Sequence, residues 1–226
     1  MGVIVVAAGR GTRIGGETPK QYLPIAGVPM VLRAVRPFAA HPEVAQIVLV
    51  LPPDDAARPP AFLRDIAGSG LTIAAGGAER TDSVAAGLAA LDARCRTVLV
   101  HDGARPFVDR PVIDAVIAHA RAGEGAVAAV RVSDTLKEAD EADGSRVRRT
   151  VPRDGLWRAQ TPQGFPRDVL ERAYAEGRAA ARATDDAALV ERLGVTVRLV
   201  PDSSRNLKVT SAEDLAMAEL MAGRDA

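Results

Sequence analysis

Aromatic residues are scarce, at 3% of 226 positions, too few for the stacking platforms that hold single-stranded nucleic acid. The single Cys95 excludes an internal disulfide framework and a cysteine-built zinc centre. Neither sign of charge is in excess. The 29 Lys and Arg balance 29 Asp and Glu, which argues against a generic polyanion binder, because such binders need excess cation to neutralise phosphates. No apolar run reaches the roughly 20 residues that a membrane helix requires. Met1 leads directly into Gly2-Val3-Ile4-Val5 without a basic leader, unlike a signal peptide. These absences set the expectation of a soluble, cytoplasmic protein with neither nucleic acid nor membrane as partner.

What is present is a core. Hydrophobic residues make up 47% of the chain, and the length suits one domain spanning 1–226. Short apolar runs at Val3–Ala8, Ile47–Leu51, Leu71–Ala75, Val98–Val100, Ala126–Val132 and Val195–Val200 read as strands. Most are continuous rather than alternating, as in strands of a parallel sheet buried on both faces. Between them, the spacing of Val84, Leu88 and Leu91 predicts a helix beginning near Thr81. Further helices are predicted over Pro111–Ala122, over Asp168–Ala183 and from Ser211, with Asp214 three residues on as a capping-box partner. Strands alternating with helices imply a layered α/β domain with right-handed crossovers.

Residues 133–155 break this rhythm. The segment is polar, and Asp143-Gly144 lies between Ser133–Glu138 and Arg146–Val151, a hairpin signal. So little apolar content leaves two readings open: a solvated loop, or an arm that grips another subunit.

The strongest local feature is Ala7-Ala8-Gly9-Arg10-Gly11-Thr12-Arg13-Ile14-Gly15-Gly16, followed by Pro19-Lys20-Gln21-Tyr22. It follows the first strand, where open α/β sheets bind ligands. The dinucleotide fingerprint fails at Ile14, which stands where a third glycine is needed. The ATPase phosphate loop fails at Glu17-Thr18, in place of Lys-Ser/Thr. What remains is backbone that a ligand can approach closely, with Arg10, Arg13 and Lys20 beside it, a composition suited to a triphosphate. Downstream, Gly76-Gly77-Ala78-Glu79-Arg80-Thr81-Asp82-Ser83-Val84 is either a helix cap built on Thr81 or Asp82, or a base-reading loop using Gly77 and Ser83. His101-Asp102-Gly103-Ala104-Arg105 ends a strand. There Asp102 is a candidate ligand for Mg²⁺, a hard cation commonly held by one or two carboxylates plus substrate phosphates. The plainer reading is a surface ion pair with Arg105. His101 reads as structural.

Together these motifs resemble the nucleotidyltransferases that join NTPs to phosphorylated sugars or polyols, and within them the 2-C-methyl-D-erythritol 4-phosphate cytidylyltransferase family. The resemblance runs in order from Ala7 to Thr210. It implies a Rossmann-like three-layer fold, with a mostly parallel twisted sheet flanked by helices and a protruding β-hairpin arm. It implies CTP, a small phosphorylated polyol, and Mg²⁺ or another divalent cation. It assigns Arg13, Lys20, Arg153 and Lys208 to catalysis. CTP falls to Ala7, Ala8, Gly9, Gly11, Gly77, Arg80, Ser83, Asp102 and Gly103. The acceptor falls to Arg105, Thr135, Arg153, Thr161, Thr184 and Lys208, and the metal to Asp102. It also implies a homodimer in which the arm carries Thr135 and Arg153 into the neighbouring site. Thr184-Asp185-Asp186-Ala187 matches a family segment but reads equally well as a helix cap. Arg205 stands where the family often has an acidic residue before Asn206, which weakens any second metal ligand there. Bifunctional relatives add a zinc-dependent cyclase; with only His41, His101 and His119, a single activity is expected. The rival readings are a cytidylyltransferase for another polyol such as ribitol 5-phosphate, a non-catalytic nucleotide-binding module, and a dinucleotide-dependent oxidoreductase, which Ile14 argues against.

Overall fold

The computed structural model describes residues 1–9, 18–63, 70–177 and 184–223. It opens with β1 (Gly2–Val6), a 3-10 turn (Lys20–Tyr22), the short pair β2 (Pro24–Ile25) and β3 (Val28–Pro29), and helix α1 (Met30–Ala39). Then come β4 (Gln46–Leu51), α2 (Pro53–Ala57), β5 (Leu71–Ala75), α3 (Arg80–Ala90), β6 (Thr97–Asp102), α4 (Arg110–Arg121) and β7 (Gly125–Arg131). The hairpin β8 (Leu136–Ala139) and β9 (Val147–Val151) is followed by β10 (Trp157–Pro166), α5 (Arg167–Gly177), α6 (Asp186–Glu191), β11 (Val197–Pro201) and α7 (Ala212–Ala222).

Among the described residues, seven strands form one sheet in the order β11-β7-β10-β6-β1-β4-β5. All neighbouring pairs are parallel except those of β10, which runs antiparallel to both β6 and β7. The expected parallel architecture therefore holds, with one reversed strand that periodicity does not predict. β10 carries Arg158, Gln160, Gln163 and two prolines among its ten residues, so it lacks the apolar run of its neighbours. Its register shifts between Ala159 and Gln163, and that bulged stretch delivers polar side chains to the site.

Strand side chains alternate between two cores. Val3, Val5, Ile47 and Leu49 pack with Val35, Phe38, Ile113 and Val116 of α1 and α4. Ile4, Val48, Val98 and Val100 pack with Val84 and Leu88 of α3 and Leu170 and Tyr174 of α5. Helix α1 has no counterpart in the sequence reading, although Met30, Val31, Ala34, Val35 and Phe38 form its buried stripe. The predicted helix 168–183 is a helix through Gly177; its remainder lies outside the described residues. The capping box at α7 is present, with Ser211 Oγ accepting from the Asp214 backbone N–H.

The β8–β9 hairpin forms its own two-stranded sheet, with Leu136 paired to Val151. Leu136 and Val147 are 36% and 55% exposed. An isolated two-stranded hairpin is marginal in water, so this arm lacks the support that the main sheet enjoys.

Gly87 lets α3 lie close on β1: a Cβ added there would meet Ile4 Cγ2 at 2.4 Å. Ile4 is fully buried and has nowhere to go. Replacing Gly87 by Ala is expected to cost about 1–3 kcal/mol by overpacking, outweighing the roughly 1 kcal/mol gained in helix propensity. A urea midpoint equal to or above wild type would contradict this.

Candidate functional site

Parallel strands end at one edge of the sheet, and the residues that follow them line a cavity of about 390 Å³. β1 contributes Val6 to Gly9, the 3-10 turn Lys20 and Gln21, and the start of α3 Gly77 to Arg80 with Ser83. β6 contributes Asp102 to Ala104, and the chain before α7 Lys208 and Thr210. Small residues permit this convergence. A Cβ on Gly76 would meet Ala8 Cβ at 2.3 Å and Ser83 Oγ at 2.8 Å. Lys20 Nζ donates to Val209 O at 2.9 Å, tying the 3-10 turn to the segment 189 residues away. The N-cap of α3 is Glu79 rather than Thr81 or Asp82; Asp82 joins the cap as its reciprocal partner one turn in. Ser83, buried, lines the cavity and donates to Glu79 O at 3.2 Å.

A second cavity, of about 250 Å³, adjoins the first and shares Arg80, Asp102 and Lys208 with it. It adds Arg105, Gln160, Thr161, Gln163, Thr184 and Asp185. Asp102 is the carboxylate common to both, and it is surrounded by cations. Lys208 Nζ lies 2.8 Å from Oδ2, Arg80 Nε 3.2 Å from Oδ1 and Arg105 Nε 3.8 Å from Oδ2. Burial alone would push the Asp102 carboxyl up, but Arg80, Lys208 and Arg105 outweigh it and hold it well below the usual carboxylate range. The surface ion pair weighed for Asp102 and Arg105 is instead a buried contact. Burial likewise pulls Arg105 down, against the raising effect of Asp102.

The backbone under Asp102 is fixed by a chain of hydrogen bonds. The Asp102 N–H donates to Thr161 Oγ1 at 3.0 Å. Thr161 Oγ1 lies 3.0 Å from His101 Nδ1, and His101 Nε2 3.0 Å from Arg105 O. Because Arg105 O can only accept, Nε2 carries the proton and Nδ1 accepts from the threonine hydroxyl. His101 is fully buried beside the Phe38 ring, 4.9 Å between centroids, and is structural as expected. Thr161, assigned to the acceptor by resemblance, directs its hydroxyl proton to His101. Arg105 Nη1 donates to Asn206 O at 2.6 Å, and Asn206 Nδ2 to Thr161 O at 2.8 Å. The second bond anchors the Asn206-x-Lys208 segment to β10, and the first ties it to the loop after β6.

Of the residues singled out in the sequence, Ala7, Ala8, Gly9, Lys20, Gly77, Arg80, Ser83, Asp102, Gly103 and Lys208 line the first cavity. Arg105, Thr161 and Thr184 line the second. Gly11 and Arg13 lie outside the described residues. Thr135 and Arg153 are exposed on and beside the hairpin arm and line neither cavity; Arg153 Nη1 donates to Ser133 O. Trp157 is half-buried, with Arg131 4.4 Å from its ring centroid. The sequence offered Asp186 only as part of a family-like segment or helix cap and held no sign of Tyr174; Asp186 Oδ2 accepts from Arg80 Nη2, and Tyr174 donates to the other Asp186 oxygen. The signal was a carboxylate at the head of a short apolar helix, where Asp186, Ala187, Leu189 and Val190 are all buried.

Burial draws His101 down to about pKa 4, from an ordinary 6.5. The unfolded chain therefore binds a proton between pH 6.5 and 4 that the folded chain refuses. Stability from this group is complete above pH 6.5 and falls as pH drops through that window, by roughly 3 kcal/mol. An NMR titration should keep this imidazole neutral until the pH nears 4; a midpoint near 6.5 would contradict the account.

A family model described as 2-C-methyl-D-erythritol 4-phosphate cytidylyltransferase matches residues 1–224. A protein of that name from Frankia casuarinae is 47% identical over 224 residues, covering 98% of this chain and 80% of the relative. The bifunctional enzyme IspD/IspF of Rhodospirillum rubrum is 44% identical over 224 residues, covering 96% of this chain and 55% of the relative, so the chain spans about half its length. Among solved structures, the enzyme of the family name from Thermus thermophilus is 35% identical, with a TM-score of 0.79 over 97% of this chain and 98% of that one. The 4-diphosphocytidyl-2C-methyl-D-erythritol synthase of Anaerococcus prevotii is 28% identical, with a TM-score of 0.84 over 99% and 96%. The chain therefore belongs to the 2-C-methyl-D-erythritol 4-phosphate cytidylyltransferase family.

Proposed function

We propose that this chain transfers CMP from CTP to 2-C-methyl-D-erythritol 4-phosphate and releases pyrophosphate. The observation that carries the reading is the pair of adjoining cavities with Arg80, Asp102 and Lys208 as their common wall. The glycine-lined cavity takes the nucleotide, with Gly77 and Ser83 at the cytosine and Lys20 at the phosphates. The Arg105 and Thr184 side takes the acceptor. The reacting phosphates then meet at the wall.

A phosphate monoester is already mostly dianionic at neutral pH, so its oxygen attacks the α-phosphorus without a general base. One P–O bond forms to the acceptor, and the bond to the bridging oxygen of pyrophosphate breaks with its electron pair leaving on pyrophosphate. No proton need move. The obstacle is bringing anion to polyanion, so the work is positioning and charge neutralisation. Lys20 stabilises charge on the departing pyrophosphate, joined in this reading by Arg13. Lys208, a compact point charge, orients the acceptor phosphate.

No group of three or more His, Cys, Asp or Glu comes together as a metal cluster among the described residues. A single carboxylate on the shared wall fits a hard divalent cation that takes its remaining ligands from phosphates and water. Asp102 would hold such an ion, Mg²⁺ by its chemistry, and the ion would supply further neutralisation of phosphate charge. The exposed hairpin, with its uncovered Leu136 and Val147, supports a homodimer in which Thr135 and Arg153 complete the neighbouring subunit's site. A light-scattering mass of one chain at micromolar concentration would remove that part. Among the described residues no helix is long and apolar enough to cross a membrane.

Pyrophosphate release tests the reading. CTP with 2-C-methyl-D-erythritol 4-phosphate and Mg²⁺ should release it, whereas ATP, GTP and UTP should not. Release with ribitol 5-phosphate instead would overturn the acceptor, and no release with any pair would leave a binding module. In the active pair, Lys20→Ala should lower turnover by about 10²–10³-fold, the scale of a lost transition-state donor. Near-normal turnover would remove Lys20 from the chemistry.

A further inference from the structure

Asp186 is the part of the Thr184-Asp185-Asp186-Ala187 segment that the proposed reaction leaves unused. Asp185 caps α6, accepting from the Ala188 N–H at 3.0 Å. Asp186, the next residue, is fully buried and lines neither cavity. Both its oxygens are occupied from within the protein. Oδ1 accepts from the Tyr174 hydroxyl at 2.5 Å, and Oδ2 from Arg80 Nη2 at 2.8 Å. Burial and Asp186 together push the Tyr174 hydroxyl pKa up, so it remains a donor.

The consequence lies in how Arg80 is used. A guanidinium prefers to present two parallel N–H donors to one carboxylate. Here the fork is split: Nε goes to Asp102 Oδ1 and Nη2 to Asp186 Oδ2. Asp102 thus receives one bond from Arg80, and its Oδ2 is held by Lys208 at 2.8 Å. With the Asp186 charge removed, Nη2 loses its ionic partner and the Asp102 carboxylate becomes the stronger acceptor within its reach. A bidentate Arg80–Asp102 pair would then displace Lys208 and draw Asp102 out of the shared wall.

We propose that Asp186, oriented by Tyr174, is a positioning residue for the transfer reaction. It holds one edge of Arg80 so that Asp102 stays engaged with Lys208 between the two cavities. The effect on rate rests on the function proposed above; the geometric claim does not.

The test uses the full chain as wild type, Asp186→Asn, Tyr174→Phe, Arg80→Gln and the double variants, with kcat measured at saturating CTP and acceptor on protein verified as folded by circular dichroism. Asp186→Asn should lower kcat by about tenfold or more, and by less than about twofold once Arg80 is already Gln, because a residue acting through Arg80 has no second route. Folded Asp186→Asn with wild-type kcat, or losses that multiply with those of Arg80→Gln, would overturn the proposal. Removing one member of a buried pair can unfold a protein, and Tyr174→Phe guards against that. It should lower kcat by about two- to fivefold, again without adding to Arg80→Gln; an unchanged kcat would count against the proposal. A crystal structure of Asp186→Asn reads the geometry without turnover. Arg80 Nη2 should move onto Asp102, and an Arg80 left in its original place would overturn the idea. Wild-type protein that released no pyrophosphate would sink the assigned reaction while leaving this structural test intact.

Discussion

A carboxylate taken out of water must be offset by neighbouring charge, and Asp102 is the place where this protein does so. Three cations from three parts of the chain face it: Arg80 from the start of α3, Arg105 just beyond β6 and Lys208 before α7. Removing one partner of such a buried pair generally costs more than the pair contributes net. The cluster is therefore a constraint on the surroundings more than a source of stability. It requires a strand end, a helix start and the C-terminal segment to meet within a few ångströms. It also places positive charge where two phosphate-bearing ligands would have to be brought together.

The fold supplies that meeting point through the sheet. Parallel pairing of β1 with β4 and β6 brings their carboxyl ends to one edge, where open α/β sheets bind ligands. Antiparallel β10, inserted between β6 and β7, carries Thr161 beneath Asp102, and the neutral His101 locks Thr161 in turn. Asn206 ties the C-terminal segment to the same strand. Charge cluster, hydrogen-bond chain and sheet order thus hold one another in place. For the proposed transfer, such an arrangement would hold its charges in place without reorganisation.

Continuous apolar runs such as Ile47–Leu51 were legible because both faces of those strands are buried. The α7 capping box was legible because Ser211 and Asp214 act locally. β10 escaped because its role depends on polar side chains at a bulge, which leave no periodic trace. Helix α1 escaped although its stripe was present, since Pro29 and Pro37 punctuate it. Ala7 to Gly9, Lys20 and Asp102 were found through motif spacing, with resemblance supplying most of their meaning, whereas Lys208 came from the resemblance alone. Asp186 looked like half of a cap because its partner Arg80 lies 106 positions away. Such long-range charge pairing is set by tertiary packing and is invisible in local pattern.

The proposed transfer requires nucleotide and acceptor to meet across the Asp102 wall. A crystal structure of the protein with CTP tests this most directly. The account predicts the α-phosphate beside Lys208 and Asp102, with the cytosine edge against Gly77 and Ser83. A nucleotide seated in the cavity of Arg105 and Thr184, or with its base at Asp102, would contradict it.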